Sequence, residues 1–264
     1  MGVISAIRRQ VSSPLAGIVS RSDYRAVRRS PPHTPGSTHL LGRPVAYADG
    51  GAILYSAQEI FKEEVYRFTA KTDRPHIIDA GANIGLSVIY FKQLYPDATI
   101  VAYEPDTAVF RILEQNTANL PGVTLHQAAA WTEETELSFY SDPTLAGSLG
   151  VDFYDRGNVI KVKAERLRDE IAKRPVDFLK IDIEGAENDV LFDIEDQLDN
   201  VDHLFFEYHS DAEKPQRLGD MLNLVTRNGF RYTINGPHGS PLPFVQPIRK
   251  GYDLQLNIAC VRPG

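Results

Sequence analysis

The sequence predicts an α/β protein built around a mostly parallel sheet, and three observations support this fold class. From residue 76 onward, strand patterns alternate with helical patterns, as parallel strands joined by crossover helices require. The first strand pattern ends at Asp79 and runs directly into a glycine turn that opens a helix. The second ends at Glu104, about twenty residues further on, which is the spacing of a ligand-binding βαβ unit.

The turn after the first strand contains Gly81 and Gly85, on either side of Asn83. Glycine at these two positions lets the backbone approach a ligand closely. A dinucleotide-binding turn has a third glycine in the middle, where pyrophosphate touches the backbone, so Asn83 argues against a dinucleotide. The carboxylate of Asp79, just ahead of the turn, suits a ligand with an ammonium group. S-adenosylmethionine (SAM) carries an ammonium group beside its sulfonium, and we therefore expect SAM to bind here.

Glu104 is the candidate for binding the ribose hydroxyls of this cofactor. Each feature also has a purely structural explanation: a tight turn at Gly81, a helix cap at Asp79 and a solvated strand end at Glu104. The presence of both halves of the pocket at the right separation favours the cofactor interpretation. The predicted cofactor-binding residues are Asp79, Gly81, Ala82, Asn83, Gly85 and Glu104.

Composition argues against a membrane-spanning protein and against nucleic acid as the main partner. The chain has 264 residues, a formal net charge of −7 and no apolar run long enough to cross a bilayer. Its single cysteine, Cys260, excludes an internal disulfide and a thiolate metal cluster, and is expected in the core of a late strand. Beyond residues 1–30 acidic residues outnumber basic ones, which disfavours nucleic acid. We expect a cytoplasmic protein, and a homodimer is compatible with this composition.

Residues 1–30 form a basic head, with six arginines against one acid. Three interpretations stay open: an organelle transit peptide, a helical extension packed on its own domain, and a segment that touches an anionic membrane surface. Residues 30–35 hold three prolines and predict a linker, and residues 54–68 predict an amphipathic helix able to roof the cofactor. We therefore divide the chain into a basic extension with a linker, residues 1–49, and a catalytic domain, residues 50–264. The basic head is expected to be dispensable for SAM binding.

The remaining patterns complete the sheet. In order, they predict a helix at 86–95, a helix from the cap Asp106 to Asn116, a strand at 123–128, a β-rich excursion at 133–164 with turns at Asp142-Pro143 and Arg156-Gly157, a helix at 165–173, a strand at 176–182, a helix at 186–198, a strand at 201–208, a helix at 214–228, and strands at 230–234 and 254–261. A long Gly- and Pro-rich loop with His238, Arg249 and Lys250 separates the last two strands. It is a good place for contacts with an acceptor.

Charged side chains converge where the fourth and fifth strands end. Successive side chains of a strand point to opposite faces, so every second residue lies on the same face. This alternation places Lys180, Asp182 and Glu184 on one face of the fourth strand, and Glu207 and His209 on one face of the fifth. Open α/β sheets bind ligands at the carboxyl ends of their strands, so these five residues are the predicted catalytic set. The structural alternative is that Lys180 neutralises Asp182 and that Glu184 caps the next helix. A histidine beside carboxylates has a raised pKa and can take a proton near neutral pH.

These motifs, in this order, resemble those of FkbM-type class I SAM-dependent methyltransferases. The resemblance rests on Asp-Ala-Gly-Ala-Asn-Ile-Gly at 79–85, Tyr-Glu-Pro at 103–105, the run at 176–187 that contains Lys-Ile-Asp-Ile-Glu-Gly-Ala-Glu, and Phe-Glu-Tyr-His at 206–209. It spans about residues 50–262, and residues 1–49 have no clear match. It implies a Rossmann-like seven-stranded sheet in the order 3-2-1-4-5-7-6, and methyl transfer to a hydroxyl of a sugar, glycan or polyketide-type natural product. Leu167-Arg168 departs from the Leu-Asp usual in the family, so an acceptor contact there is not carried over.

The residue set offers two ways of removing a proton from an alcohol. His209 can act as a general base, or Asp182 and Glu207 can hold a Mg²⁺ ion that makes the hydroxyl more acidic. We prefer the base, with the metal optional. The alternative functions are a small-molecule N-methyltransferase, a phenol O-methyltransferase, and a catalytically silent SAM-binding scaffold. The intact carboxylates and His209 argue against the scaffold, and the last loop offers only Phe244 and Tyr252 for an aromatic acceptor cage.

Overall fold

The computed structural model describes residues 14–141 and 159–263, and the chain divides into two compact units, Met1–Val65 and Tyr66–Gly264. The predicted turns at Asp142-Pro143 and Arg156-Gly157 lie outside the described residues. Among the residues that are described, no helix has the length and apolar character needed to cross a membrane. This division falls after Val65, whereas the catalytic domain predicted from the sequence begins at residue 50. The extent of the catalytic domain, residues 50–264, therefore stays a prediction.

From residue 14 onward, the first unit contains two helices and a β-hairpin. Its elements are α1 (Arg21–Arg28), β1 (Gly36–Leu40), β2 (Arg43–Tyr47) and α2 (Gly50–Ala57), which continues as a π-helical turn at Gln58–Lys62. The helix predicted at 54–68 is shifted toward the N-terminus. It begins at Gly50 because the side chain of Asp49 accepts a hydrogen bond from Ala52 N and caps α2. It ends at Lys62, with the π-helical turn. Residues 31–35 join α1 to β1 without helix or strand, as the linker prediction requires. The predicted N-terminal helical extension is confirmed.

The second unit is an α/β domain. Its strands are β3 (His76–Ala80), β4 (Thr99–Tyr103), β5 (Val123–His126), β6 (Ala129–Trp131), β7 (Thr135–Tyr140), β8 (Val159–Arg166), β9 (Val176–Ile181), β10 (Val201–Asp211), β11 (Arg231–Gly239) and β12 (Tyr252–Val261). Its helices are α3 (Leu86–Leu94), α4 (Thr107–Thr117), α5 (Leu167–Ile171), α6 (Glu187–Asp193) and α7 (Leu218–Arg227), with a 3₁₀ helix at Glu195–Asn200.

Seven strands form the main sheet in the order β11-β12-β10-β9-β3-β4-β5. If the seven strands of this sheet are numbered 1 to 7 along the chain, starting at β3, the order read from the β5 edge is 3-2-1-4-5-7-6. This order confirms the predicted topology. The pairs from β5 to β10 are parallel, whereas β12 pairs antiparallel with both neighbours. All of β3 and nearly all of β9 are buried, because helices cover both faces of the sheet. Cys260 lies in this core, as predicted.

In the described part of the β-rich excursion, β7 and β8 pair with each other, and β8 also pairs with β6, which precedes the excursion, in a separate sheet of the order β6-β8-β7. Several elements differ from their predicted bounds. Strand β11 runs on to Gly239 and therefore includes His238, predicted to lie in the loop, and α7 begins at Leu218 instead of residue 214. The helix predicted at 186–198 ends as an α-helix at Asp193 and continues as the 3₁₀ helix, and the fifth strand of the main sheet is longer than predicted. Strand β10 runs on to Asp211 because β12 pairs with it from His203 to Asp211, with a register shift between Ser210 and Asp211. His209 is therefore held inside a strand.

Candidate active site

The glycine turn after β3 has a backbone that only glycine fits. Gly81 and Gly85 have φ values of +90° and +89°, in the left-handed region. A Cβ atom on Gly81 would lie 1.7 Å from the carbonyl oxygen of Asp182, so this turn packs directly on the chain that leaves β9. Asn83 also adopts a positive φ of 48°, and its side chain accepts a hydrogen bond from Ile84 N at 2.7 Å. The turn brings the ends of two neighbouring strands into contact.

Glu104 connects the turn to the end of β4. Its Oε2 accepts a hydrogen bond from Asn83 N at 3.1 Å, and its Oε1 accepts one from Asp106 N at 2.8 Å. The side chain is buried, and burial raises the pKa of Glu104 to about 8. Each oxygen of Glu104 uses one hydrogen-bonding position for a backbone N–H, so the carboxyl group keeps room for two further hydrogen bonds. This chemistry suits the paired hydroxyls of a ribose.

Asp79 and Lys180 form a buried ion pair behind the turn. Lys180 Nζ lies 3.3 Å from Asp79 Oδ1 and 3.3 Å from Asp182 Oδ2, and it donates a hydrogen bond to Gly81 O at 2.9 Å. Ser87 Oγ donates to the other oxygen of Asp79. Burial alone would lower the pKa of Lys180, but the carboxylates of Asp79 and Asp182 raise it above its usual value. Lys180 thus carries a positive charge that fixes the turn against β9.

The structure brings Asp79 to the turn but leaves it no exposed surface. Its carboxylate holds Lys180 and Ser87 in place. The predicted direct contact between Asp79 and the ammonium group of a cofactor stays a prediction, and in this conformation Asp79 supports the turn from behind. The ion pair between Lys180 and Asp182, which the sequence offered as an alternative to a catalytic role, is also present.

His209 lies at the centre of a second charged cluster, at the carboxyl ends of β9 and β10. Its Nδ1 lies 3.1 Å from Glu187 Oε1, and its Nε2 lies 3.4 Å from Glu184 Oε2 and 3.7 Å from Glu207 Oε1. The ring packs on Tyr252 with 4.7 Å between centroids. Burial alone would lower the pKa of His209, but the charges of Glu187, Glu184 and Glu207 raise it well above its usual value. These charges favour the protonated form of His209.

The exposed surface of this cluster belongs to its carboxylates. The side chains of Glu184 and Glu207 are 21% and 24% exposed, whereas that of His209 is 1% exposed. Burial raises the pKa of Glu184 to about 8 against the opposing effect of the His209 charge. Glu184 also adopts a positive φ of 55°, followed by Gly185 at 97°, a conformation of the kind that concentrates at functional sites. A molecule that enters from solvent meets the glutamates before it meets the histidine.

Two residues of the cluster are missing from the predicted set. Glu187 is fully buried, and its carboxylate accepts hydrogen bonds from Ile183 N at 2.9 Å and from Gly185 N as well as facing His209. Glu187 is the last residue of the run at 176–187 that carries the family resemblance. The alternation of side chains along the strand could not point to it, because Glu187 lies beyond the end of the strand. Tyr252 begins β12, and a Cβ on Gly185 would lie 2.7 Å from its hydroxyl. Nothing local in the sequence connects Tyr252 to the cluster.

The atoms best placed for a metal ion differ from the predicted pair. One ligand atom each from Asp182, Glu187 and His209 lie within 4.8 Å of one another. The prediction named Asp182 and Glu207, so the structure keeps Asp182 and groups it with Glu187 and His209. All three already have partners within the protein, because Asp182 pairs with Lys180 and Glu187 holds His209. This arrangement satisfies the charges of the group without an ion.

Comparisons with known proteins identify a methyltransferase family. Residues 79–232 match the family model described as the methyltransferase FkbM domain. The chain is 29% identical over 210 residues to Methyltransferase 1 of Beauveria bassiana, covering 70% of this chain and 83% of that protein. It is 26% identical over 226 residues to the 31-O-demethyl-FK506 methyltransferase FkbM of Streptomyces tacrolimicus, covering 72% and 86%. The crystal structure of methyltransferase FkbM from Methylobacillus flagellatus aligns with a TM-score of 0.44 and 19% identity, covering 75% of this chain and 46% of that one.

Proposed function

The chain belongs to the FkbM methyltransferase family, and from that premise we propose that it moves a methyl group from SAM to a hydroxyl of a sugar, glycan or polyketide-type natural product. SAM-dependent methyl transfer follows from the family, and the hydroxyl acceptor is the proposal. One relative is named for an O-demethylated substrate, which supports an oxygen acceptor. The observation that carries the proposal is the His209 cluster, whose exposed carboxylates stand at the same edge of the sheet as the glycine turn.

The residues around the turn fit SAM. We assign the ribose hydroxyls to Glu104 and the close backbone contacts to residues 81–85, with Ala82 and Asn83 inside that turn. The free acceptor capacity of Glu104 and the glycine-only backbone at Gly81 support this assignment. When bound, SAM supplies an electrophilic methyl group. The protein then has to orient an acceptor oxygen and receive its proton.

We assign the proton to the carboxylates that face solvent. The raised pKa of His209 favours its protonated form, which has no free lone pair, whereas an ionised carboxylate can accept a proton. Glu184, with a pKa of about 8, is a stronger base than an ordinary carboxylate. The proposal thus modifies the role predicted for His209: its positive charge holds Glu184 and Glu207 toward the acceptor. Lys180 and Asp182 keep the turn in register with this cluster.

Product analysis tests the proposed function. The protein is incubated with methyl-labelled SAM and with glycans and metabolites from a lysate, and products are identified by mass spectrometry. We expect a labelled O-methyl ether on an aliphatic hydroxyl. Label on nitrogen or on a phenol would establish one of the alternative enzymes, and SAM binding without any product would favour the silent scaffold.

Cytoplasmic localisation, a homodimer and contact of the basic N-terminus with membrane surfaces also stay proposals.

Replacing Glu104 with alanine is expected to weaken the binding of S-adenosylhomocysteine, the demethylated product, by about 1–3 kcal/mol. This is the usual cost of removing one partner of a buried hydrogen bond. Isothermal titration calorimetry measures it directly. Glu114→Ala is the matched control, because Glu114 is an exposed carboxylate on α4 that should leave the affinity unchanged. Equal affinities in wild type and Glu104→Ala would contradict the assignment of Glu104 to the ribose.

The rate of methyl transfer is expected to rise as the pH increases toward about 8. Below the raised pKa of Glu184 its carboxyl group is mostly protonated and cannot accept the acceptor's proton, and above it the group is ionised. Turnover at saturating SAM and acceptor, measured from neutral to alkaline pH, gives the profile. Glu184→Gln should remove the rise together with most of the activity. An unchanged profile in that variant would show that another group accepts the proton.

A further inference from the structure

Strand β12 contains a β-bulge at Asp253. In the pairing of β12 with β10, Ser210 lies opposite Leu254. The next residue of β10, Asp211, lies opposite Tyr252. Asp253 is therefore an extra residue between two paired positions, and within the described residues of β10 it has no partner in this register. Bulges of this kind are over-represented beside active sites, where they re-aim a side chain.

The bulge changes the face of the sheet to which Tyr252 belongs. Side chains alternate between the two faces of a strand, and Leu254 lies on the face that packs against the core. Without the extra residue, Tyr252 would share the face of Leu254. With Asp253 inserted, Tyr252 shares the face of His209, and its ring packs on the imidazole with 4.7 Å between centroids.

Stability does not account for the bulge. One carboxylate oxygen of Asp253 is buried and has no hydrogen-bond partner among the described residues. A buried oxygen without a donor costs stability, because it has lost its contact with water. The effect of the bulge that the structure does show is the position of Tyr252 beside the imidazole of His209.

Tyr252 covers the turn that carries Glu184. A Cβ atom on Gly185 would lie 2.7 Å from the hydroxyl oxygen of Tyr252 and 3.5 Å from its Cζ, so the end of the phenol ring packs on Gly185. Glu184 and Gly185 have positive φ values of 55° and 97°. Such a conformation is costly for glutamate and persists only where surrounding groups hold it. Tyr252 holds the turn by packing, and Glu187 holds it by accepting a hydrogen bond from Gly185 N.

We infer that Tyr252 is a positioning residue for methyl transfer. It holds the turn at Glu184 and Gly185 so that the carboxylate faces the acceptor, and the bulge at Asp253 places it there. This inference rests on the proposed function and adds a residue to it. Tyr252 acts through its two contacts, with the ring of His209 and with Gly185. Loss of these contacts affects the step in which the acceptor's proton is received and leaves the cofactor contacts of the glycine turn in place.

Turnover of Tyr252→Leu and Tyr252→Phe tests the inference. The assay uses saturating methyl-labelled SAM and increasing amounts of a lysate extract of glycans and metabolites, and it quantifies labelled O-methyl product by mass spectrometry. We expect Tyr252→Leu to lower the plateau rate on the order of 10–100-fold, the cost of a small misplacement of a reacting group. The half-saturating amount of extract and the affinity for S-adenosylhomocysteine should not change. Tyr252→Phe, which keeps the ring, should recover most of the rate.

Deletion of Asp253 tests the bulge itself. It should return Tyr252 to the core face of β12 and lower the rate as Tyr252→Leu does, whereas Asp253→Asn keeps the bulge and should cost far less. NMR of the His209 imidazole, assigned with His209→Asn, gives a readout without acceptor. Its signals should shift in the deletion variant and in Tyr252→Leu, because the ring current of the phenol is lost. Tyr232→Leu is the matched control, since Tyr232 is an exposed tyrosine on the neighbouring strand β11, and both readouts should stay as in wild type.

Equal plateau rates in Tyr252→Leu and Tyr252→Phe would overturn the inference, and so would a loss that falls on S-adenosylhomocysteine affinity or on the half-saturating amount of extract. A folded deletion variant with the wild-type rate and unchanged His209 signals would overturn the role of the bulge. If thermal unfolding shows that the deletion variant does not fold, the two Tyr252 variants decide alone. Absence of labelled product from the wild-type protein would overturn the proposed function and this inference with it, whereas equal product from wild type and Tyr252→Leu would overturn the inference alone.

Discussion

Lys180→Met is expected to destabilise the second unit by about 3–5 kcal/mol, because it leaves Asp79 as an uncompensated charge in the core. Asp79 is fully buried, and Lys180 is its partner at 3.3 Å. The same substitution removes the hydrogen bond to Gly81 O, so the turn also loses its tie to β9. Chemical denaturation of both proteins, followed by circular dichroism, measures the difference in the free energy of unfolding.

A surface ion pair supplies the control for this measurement. Lys71 pairs with Asp202 at 2.8 Å, but its side chain is largely exposed, so Lys71→Met should cost less than about 1 kcal/mol. Adding Asp79→Asn to Lys180→Met should recover part of the lost stability, since the amide can stay buried without a counter-charge. If the single Lys180 variant costs no more than the Lys71 variant, the buried pair does not hold the turn.

The strands and the cofactor turn follow from local patterns in the sequence, whereas the order of the strands in the sheet is implied by the resemblance to the family. Hydrophobic runs, the two glycines and the separation between Asp79 and Glu104 are all read from neighbouring residues. The pairing of Asp79 with Lys180 is less accessible, because it depends on the register in which β3 lies beside β9, where these two residues are direct neighbours. The alternation of side chains along the strand placed Lys180 on the catalytic face and offered Asp182 as its partner, but it could not identify Asp79 as a second partner.

Glu187 and Tyr252 escape prediction for a related reason. Glu187 reaches His209 only because Glu184 and Gly185 adopt positive φ values that turn the chain back on itself. Tyr252 reaches it because β12 pairs antiparallel with β10 in one register. Neither the loop conformation nor the register is encoded in a short motif, so the sequence predicts the charged cluster and leaves its organisation open.

His209→Asn is expected to lower turnover by roughly 10²–10⁴-fold, the range over which a positioned acid–base group contributes, while the affinity for S-adenosylhomocysteine stays unchanged. His209 lies beside Glu184 and Glu207, which are proposed to face the acceptor, whereas the assigned cofactor contacts come from the ends of β3 and β4. Glu187→Gln should act in the same direction, because a neutral amide no longer compensates the imidazolium. Turnover and Michaelis constants for both substrates, with calorimetry of S-adenosylhomocysteine, provide the measurement.

His203→Asn is the matched control, since His203 lies on the same strand at its opposite end, where it bonds to the carbonyl oxygen of Asp177. It should retain turnover, and thermal unfolding of all three variants separates catalytic loss from misfolding.

Chelation distinguishes the two ways of activating the hydroxyl. If EDTA abolishes methyl transfer and Mg²⁺ restores it, Asp182, Glu187 and His209 act as metal ligands, and the proton assignment to Glu184 falls. If EDTA has no effect, the carboxylates act alone with His209 behind them. Full turnover in His209→Asn together with resistance to EDTA would contradict both, because the charge that organises the cluster would then be dispensable.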